Sequence, residues 1–300
     1  MSRAWLQLLR LPNLFTVPGD PIAGFLIACG AVNQRVALLD YRVAFAVIAS
    51  LCLYGAALVM NDLFDLAEDR RDRPKRPLAS GQIGTREAWI AVAALSLVGV
   101  GSMCVVSLWA GFEIAAALLA CIALYNGVTK HIPIMGAVNM GLCRGLSVFL
   151  GVVSFTGRIW PQDGIVLTGA ALITGYIAAV TNLARHETKT VSPITARLLP
   201  ASVVLLAFLL FHAGHGPLLA SFATTGLAIA LMLVAAEIGR LFHKYPPPLP
   251  PVIGALIRVL LVIQASLCLV FPSSHAFIAA AVLVLAVPLA RHFGRMFYAS

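Results

Sequence analysis

The sequence predicts an all-α integral membrane protein, a polytopic bundle of nine to ten transmembrane helices around a central cavity. Composition is the first observation: 60% of the 300 residues are hydrophobic and 11% are charged, against about 25% charged in a soluble domain. Segment length is the second, since the apolar runs are near 20 residues, enough to cross the hydrocarbon core as helices. None shows the ten-residue alternation of a transmembrane barrel. The third is where the charge sits, because the 21 Lys and Arg residues sort by loop.

Hydropathy places ten apolar segments near 14–33, 43–62, 87–108, 111–128, 134–154, 164–183, 197–213, 217–239, 252–271 and 274–290. The seventh and tenth are short, and a re-entrant or interfacial piece at either would reduce the count to nine. Arg3 and Arg10 precede a first segment whose Leu26-Ile27-Ala28-Cys29 resembles a lipoprotein cleavage site. Pro18-Gly19-Asp20-Pro21 breaks the expected signal core, so the segment is expected to stay as a helix.

With the N-terminus in the cytoplasm, 16 basic residues fall in cytoplasmic segments, three outside (Arg35, Arg42, Arg158) and two within spans (Arg144, Arg258). That asymmetry predicts the orientation. The net charge of +9 therefore reflects topology, and no nucleic-acid partner is expected. Six cysteines stand singly in apolar segments without a C-x-x-C pair, and are read as small core residues. The prolines at 246–248, 250 and 251 form a stiff linker. His212 and His215 have a possible ligand spacing but fall in a short outer loop, and no metal is expected there.

Residues 1–300 read as one transmembrane domain. Two four-helix groups, about 11–130 and 131–240, each carry a charged connection after their second helix, with the C-terminal helices added. Such paired groups would set both connections over one cavity.

The chemistry concentrates at 61–81, where NDLFDLAEDRRDRPKRPLASG holds five of the twelve acidic and five of the 21 basic residues. Asp62, Asp65 and Asp69 are spaced i, i+3, i+7 and predict one shared helix face. Crowded carboxylates repel, and a bound divalent cation or cationic neighbours relieve them. Arg70, Arg71, Arg73, Lys75 and Arg76 follow at once. Carboxylates holding Mg²⁺ beside guanidinium groups suit a diphosphate or triphosphate.

These residues resemble the UbiA superfamily of membrane prenyltransferases. Asn61-Asp62-Leu63-Phe64-Asp65-Leu66-Ala67-Glu68-Asp69-Arg70 is similar to that family's N-D-x-x-D-x-x-x-D motif. Arg76-Pro77-Leu78-Ala79-Ser80-Gly81-Gln82-Ile83 is similar to its R-P-L-x-S-G-x-I loop. Arg10-Leu11-Pro12-Asn13, Tyr125-Asn126-Gly127 with Lys130, and Asn139-Met140-Gly141-Leu142-Cys143-Arg144-Gly145 extend the likeness over most of 10–190.

The resemblance implies a cavity open sideways to lipid, where Mg²⁺ and basic residues hold a polyprenyl diphosphate whose prenyl group passes to a lipophilic, often aromatic, acceptor. By resemblance Asp62, Asp65 and Asp69 are metal ligands with Asn61 assisting, and Arg70, Arg73, Arg76, Lys130, Arg144 and Arg185 are expected at the diphosphate. Arg144, inside a span, is alternatively a structural ion pair. Tyr125 and Asn182 are expected at the cavity, although Tyr125 at a helix end also suits an interface anchor. Arg258 is expected in a salt bridge or snorkelling.

The second aspartate-rich motif of the family is missing after the sixth segment, where Asn182, Arg185, His186, Glu187 and Lys189 stand with Glu187 as the one acid. The pattern is similar to UbiA-like proteins of some secondary-metabolism operons. Glu187 is left open as metal ligand, base or partner of Arg185. The alternative to a transferase is a non-catalytic binder or transporter of a prenylated metabolite.

Overall fold

The computed structural model describes residues 2–33, 40–159, 163–186, 193–214, 220–243 and 248–297. Its helices are α1 Ser2–Leu8, α2 Leu11–Leu14, α3 Gly19–Ala31, α4 Tyr41–Phe64, α5 Leu66–Asp72, α6 Thr85–Val106, α7 Leu108–Gly127, α8 Met135–Thr156, α9 Gly164–Ala184, α10 Ile194–Gly214, α11 Ala220–His243, α12 Leu249–Cys268 and α13 Ser274–Phe297, with a 3-10 turn at Thr129–His131. Among the described residues there is no strand. Among the described residues ten helices are long and apolar enough to cross a membrane, α2 and α3 acting as one broken span over Leu11–Ala31. The two segments that looked short from hydropathy run over Ile194–Ala213 and Ser274–Gly294, with 20 and 21 residues. The protein is an integral membrane protein.

Among the described residues, buried apolar side chains form two clusters. One gathers α1, α4, α6 and α7, with Leu150 and Val153 of α8. The other gathers α3 and α8 to α13, so the first span packs with the second half of the chain. The helices α12 and α8 are central, 67% and 61% buried over their most apolar stretches, while α6 at 22% faces outward. Outward-facing Leu97, Trp109 and Leu285 meet hydrocarbon without cost in a bilayer, which is why one chain can be apolar on both its inside and its outside.

The first span breaks at Phe15–Pro18, where Pro18 cannot donate a backbone N–H. Backbone stranded at membrane depth needs partners from the protein. The Thr16 carbonyl accepts from Arg144 Nη2 at 2.7 Å and from Gln264 Nε2 at 2.8 Å. Asp20, the second residue of α3, is fully buried. It accepts from Gln264 Nε2 at 2.6 Å, and its Oδ2 lies 2.8 Å from Arg144 Nε. That last N–H does not point along the contact, so it is a charge contact, not an aligned hydrogen bond. Three helices, α3, α8 and α12, are thereby pinned at one point.

Close approach of α3 and α8 depends on absent side chains. A Cβ on Gly151 would sit 1.9 Å from the Pro21 carbonyl oxygen, and one on Gly24 would sit 2.1 Å from that of Val148. Small residues at such crossings let backbones touch, the main source of attraction between helices in lipid. Tyr176, buried in α9, donates to the Leu256 carbonyl at 2.8 Å and ties α9 to α12.

Gly151→Val is expected to lower stability by about 1–3 kcal/mol through overpacking, read as a drop in the thermal unfolding midpoint in detergent. Tyr176→Phe removes one buried hydrogen bond and is expected to cost about 1 kcal/mol by the same measurement. An unchanged midpoint in Gly151→Val would show that α3 and α8 do not cross where described.

Candidate active-site cavity

A cavity of about 440 Å³ opens between α2, α4, α7, α8, α9 and α12, within the range of small-molecule sites. Its walls are apolar, with Ala57, Leu58, Leu118, Ile122, Ile177, Val180, Ile253, Ile257 and Leu260. Its mouth is polar, lined by Arg10, Asn13, Asn61, Asp65, Arg73, Arg76 and Asn126. Its floor carries a second polar group, Ser50, Tyr54, Arg144 and Ser147.

The shared helix face expected of Asp62, Asp65 and Asp69 is only partly realised. α4 ends at Phe64 and α5 begins at Leu66, so the run breaks at Asp65 although the Asp65 N–H to Asn61 and Asp69 N–H to Asp65 hydrogen bonds continue. Each carboxylate then meets its own cation. Asp62 and Asp69 are buried. Asp62 Oδ1 lies 3.2 Å from Arg10 Nη2 and 3.8 Å from Arg76 Nη1, and Asp69 Oδ2 accepts from Arg76 Nη1 at 2.8 Å. Asp65 accepts from Lys130 Nζ, and its other oxygen accepts from Asn61 Nδ2 at 3.2 Å. Repulsion within the motif is thus relieved by cations from three separate stretches. Among the described residues no three Asp, Glu, His or Cys groups converge as a ready-made metal cage.

The loop after α5 is built to return Arg76 to this face. Leu78 and Ile83 are buried at 2% exposure and anchor it in the first apolar cluster. Gly81, at φ 78°, makes the turn between them, a conformation that favours glycine. Ser80 closes it, its N–H donating to the Arg76 carbonyl at 2.8 Å and its hydroxyl to that of Pro77 at 3.2 Å. Lys130 sits on the 3-10 turn after α7. The Asn139 side-chain amide of α8 steadies that turn, 2.8 Å from the Thr129 hydroxyl.

Of the residues singled out in the sequence, Asn61, Asp65, Arg73, Arg76, Tyr125 and Arg144 line the cavity. Asp62, Asp69 and Lys130 stand behind that lining through the ion pairs above. Arg70 and Arg185 are exposed and outside the lining, as is the half-buried Asn182, although its neighbour Thr181 takes part. Glu187, Lys189 and His215 lie outside the described residues. Arg144 is 6% exposed and paired with Asp20, away from the cation cluster of the mouth.

Three participants escaped sequence reasoning. Arg10 lines the mouth from a left-handed backbone, φ 45° and ψ 56°, a strained geometry for a residue with a side chain. Its signal was the Arg10-Leu11-Pro12-Asn13 likeness. Asp20 had only its position within an apolar run as a signal. Gln264 had none beyond being polar in a span.

Comparison with known proteins bears on this site. A digeranylgeranylglyceryl phosphate synthase of Natronomonas pharaonis is 27% identical over 192 residues, 64% of either chain. Its counterpart from Methanocaldococcus jannaschii is 37% identical over 86 residues, 29% of either chain. The match covers less than two thirds of the length of these relatives. The fold is similar to that of a UbiA homologue from Archaeoglobus fulgidus solved with GPP and Mg²⁺, with TM-score 0.68 and 14% identity over 95% of this chain and 99% of that one. Residues 22–190 match the UbiA prenyltransferase family, and over that stretch, more than half its length, the chain belongs to it.

Proposed function

We propose that the protein is an intramembrane prenyltransferase that moves a prenyl group from a polyprenyl diphosphate to a lipophilic acceptor, with Mg²⁺. The observation that carries this is the pairing of a mouth rich in carboxylates and cations with an apolar cavity inside the membrane. An isoprenoid diphosphate has the same two-part character, a charged head and a hydrocarbon tail.

The residues of the mouth fit Mg²⁺. All its candidate ligands are hard oxygens, from Asp62, Asp65, Asp69 and the Asn61 amide. Mg²⁺ is usually held by one or two carboxylates together with substrate phosphates, keeping several waters, and needs no all-protein cage. Separate ion-paired carboxylates therefore suit it better than a converged triad would. When bound, the metal neutralises negative charge on the departing diphosphate.

The chain's own side chains supply the rest. Arg10, Arg73, Arg76 and Lys130 present cations at the mouth, and a diphosphate arriving there offers them new acceptors in place of the carboxylates. The allylic C–O bond breaks with its electron pair leaving on the diphosphate. The acceptor then forms a bond to the same carbon and gives up a proton. Apolar walls from α7, α9 and α12 hold water away from the electron-poor carbon, which water would otherwise capture. Arg144 is left out of the diphosphate set because Asp20 already matches its charge. The positions of Lys and Arg support a mouth that opens to the cytoplasm.

Asp65→Asn is expected to lower prenyl transfer by about 10²–10³-fold with the thermal midpoint retained within a few degrees. Purified protein with geranylgeranyl diphosphate radiolabelled in its prenyl chain, Mg²⁺ and a membrane lipid extract provides the measurement, read as release of diphosphate and formation of a labelled prenylated product. Arg76→Gln, which strips Asp69 of its nearest cation and the mouth of one donor, is expected to weaken binding of the diphosphate at least tenfold. Tight binding with no turnover in the native protein would identify a carrier of prenylated metabolites instead, and full activity in Asp65→Asn would remove the motif from the chemistry.

A further inference from the structure

The floor of the cavity holds a charged pair that the diphosphate chemistry does not use. Arg144 lies nine residues past the start of α8, roughly 13 Å along the helix from the mouth end. It is 6% exposed, and Asp20 beneath it is fully buried. Burying two charges in a span is costly even when they are paired. The broken first span does not require it, because Gln264 alone already donates to the Thr16 carbonyl at 2.8 Å without any charge.

The guanidinium is held but not used up. Of its five N–H donors, one Nη2 donor goes to the Thr16 carbonyl and Nε faces Asp20. The Tyr54 ring lies 5.9 Å away across its face. Among the described residues nothing else engages it, and Arg144 lines the cavity, leaving its Nη1 edge towards the interior. Beside it, the Ser147 hydroxyl is 2.7 Å from that of Ser50, making a polar pair in the same floor.

Charge separates floor from mouth. The mouth gathers Arg10, Arg73, Arg76 and Lys130, a set suited to several negative charges. On the floor Asp20 cancels Arg144, so what remains is a fixed, neutral dipole with free N–H donors. Such a group draws an uncharged oxygen more effectively than a diphosphate, which the mouth holds better.

We propose that Arg144 recognises the acceptor: its free edge donates hydrogen bonds to an uncharged hydroxyl or carbonyl oxygen at the acceptor's polar end, while Asp20 and Gln264 are positioning residues that hold the guanidinium in place. The acceptor is then an oxygenated amphiphile. This rests on the transferase function proposed above and adds its acceptor class.

Two probes test it on the full-length protein in nanodiscs. Geranylgeranyl S-thiolodiphosphate with Mg²⁺ reports the donor site. 4-Octylphenol and octylbenzene, which differ by one oxygen, report the floor through their apparent Kd. Native protein is expected to prefer the phenol at least tenfold, and Arg144→Gln to reduce that preference below twofold while binding thiolodiphosphate within twofold of native. Asp20→Asn is expected to lose the preference likewise, since it frees the guanidinium to turn. Should Arg144→Gln fail to fold with Asp20 left unpaired, the double variant Asp20→Asn/Arg144→Gln, which leaves no unpaired charge, takes its place.

Three results overturn the proposal: no phenol preference in native protein, a preference that survives Arg144→Gln, or thiolodiphosphate binding weakened tenfold by Arg144→Gln. The last would put Arg144 at the donor site and leave the transferase function standing. Native protein that binds no thiolodiphosphate with Mg²⁺ would instead overturn the transferase function itself, and the phenol preference would still report on the floor.

Discussion

A helix crossing a bilayer satisfies its carbonyls internally, and the first span gives this up at Thr16. Pro18 makes a continuous helix costly there, so the carbonyl looks for donors among side chains and finds Arg144 and Gln264. An arginine at that depth then needs a counter-charge, which Asp20 provides from the first turn of α3. The arginine makes the aspartate necessary, and together these contacts fix α3 against α8 and α12, the most buried helices of the bundle. Breaking such a pair by removing one member leaves an uncompensated charge, typically worth about 3–5 kcal/mol.

The same rule, that charge inside a membrane must be answered locally, shapes the mouth differently. There every carboxylate of the acidic motif has a cation, but the cations come from α1–α2, the loop after α5 and the turn after α7. They arrive on long side chains from the connections between helices, while the Asp20 pair is enclosed by three helices. Under the proposed function, a site that must exchange partners when a diphosphate arrives is better made of the former, and a site that must keep a fixed direction of the latter. Mouth and floor are thus two uses of ion pairing within one cavity.

The spans and the acidic motif were legible in the sequence because both are local signals. A run of 20 apolar residues states its own length, and Asn61, Asp62, Asp65 and Asp69 carry their spacing with them. What the motif could not show was its partners. Arg10 is 52 residues from Asp62 and Lys130 is 65 from Asp65, and nothing local announces either contact. The shared face was drawn from an ideal helix, yet the run breaks at Asp65, a position no periodicity marks.

Asp20 shows the deeper reason. In the sequence it belongs to a Pro-Gly-Asp-Pro interruption, which reads as a flaw in a membrane helix. Its partners are 124 residues away, as counted from 20 to 144, and 244 away at Gln264, so only the fold turns the flaw into a junction. A charged residue within a span carries information in proportion to its cost, because the energy lost in burying it must be recovered elsewhere. The charge in the fifth span was visible as expensive, and its expense predicts that it meets something, whereas Asp20 read only as part of the interruption. Pairing answers the charge of Asp20 and accounts for Arg144 only in part, since the guanidinium retains donors on the side of the cavity. The unspent donors, not the pair, are what distinguish a floor that recognises a molecule from one that merely closes the bundle.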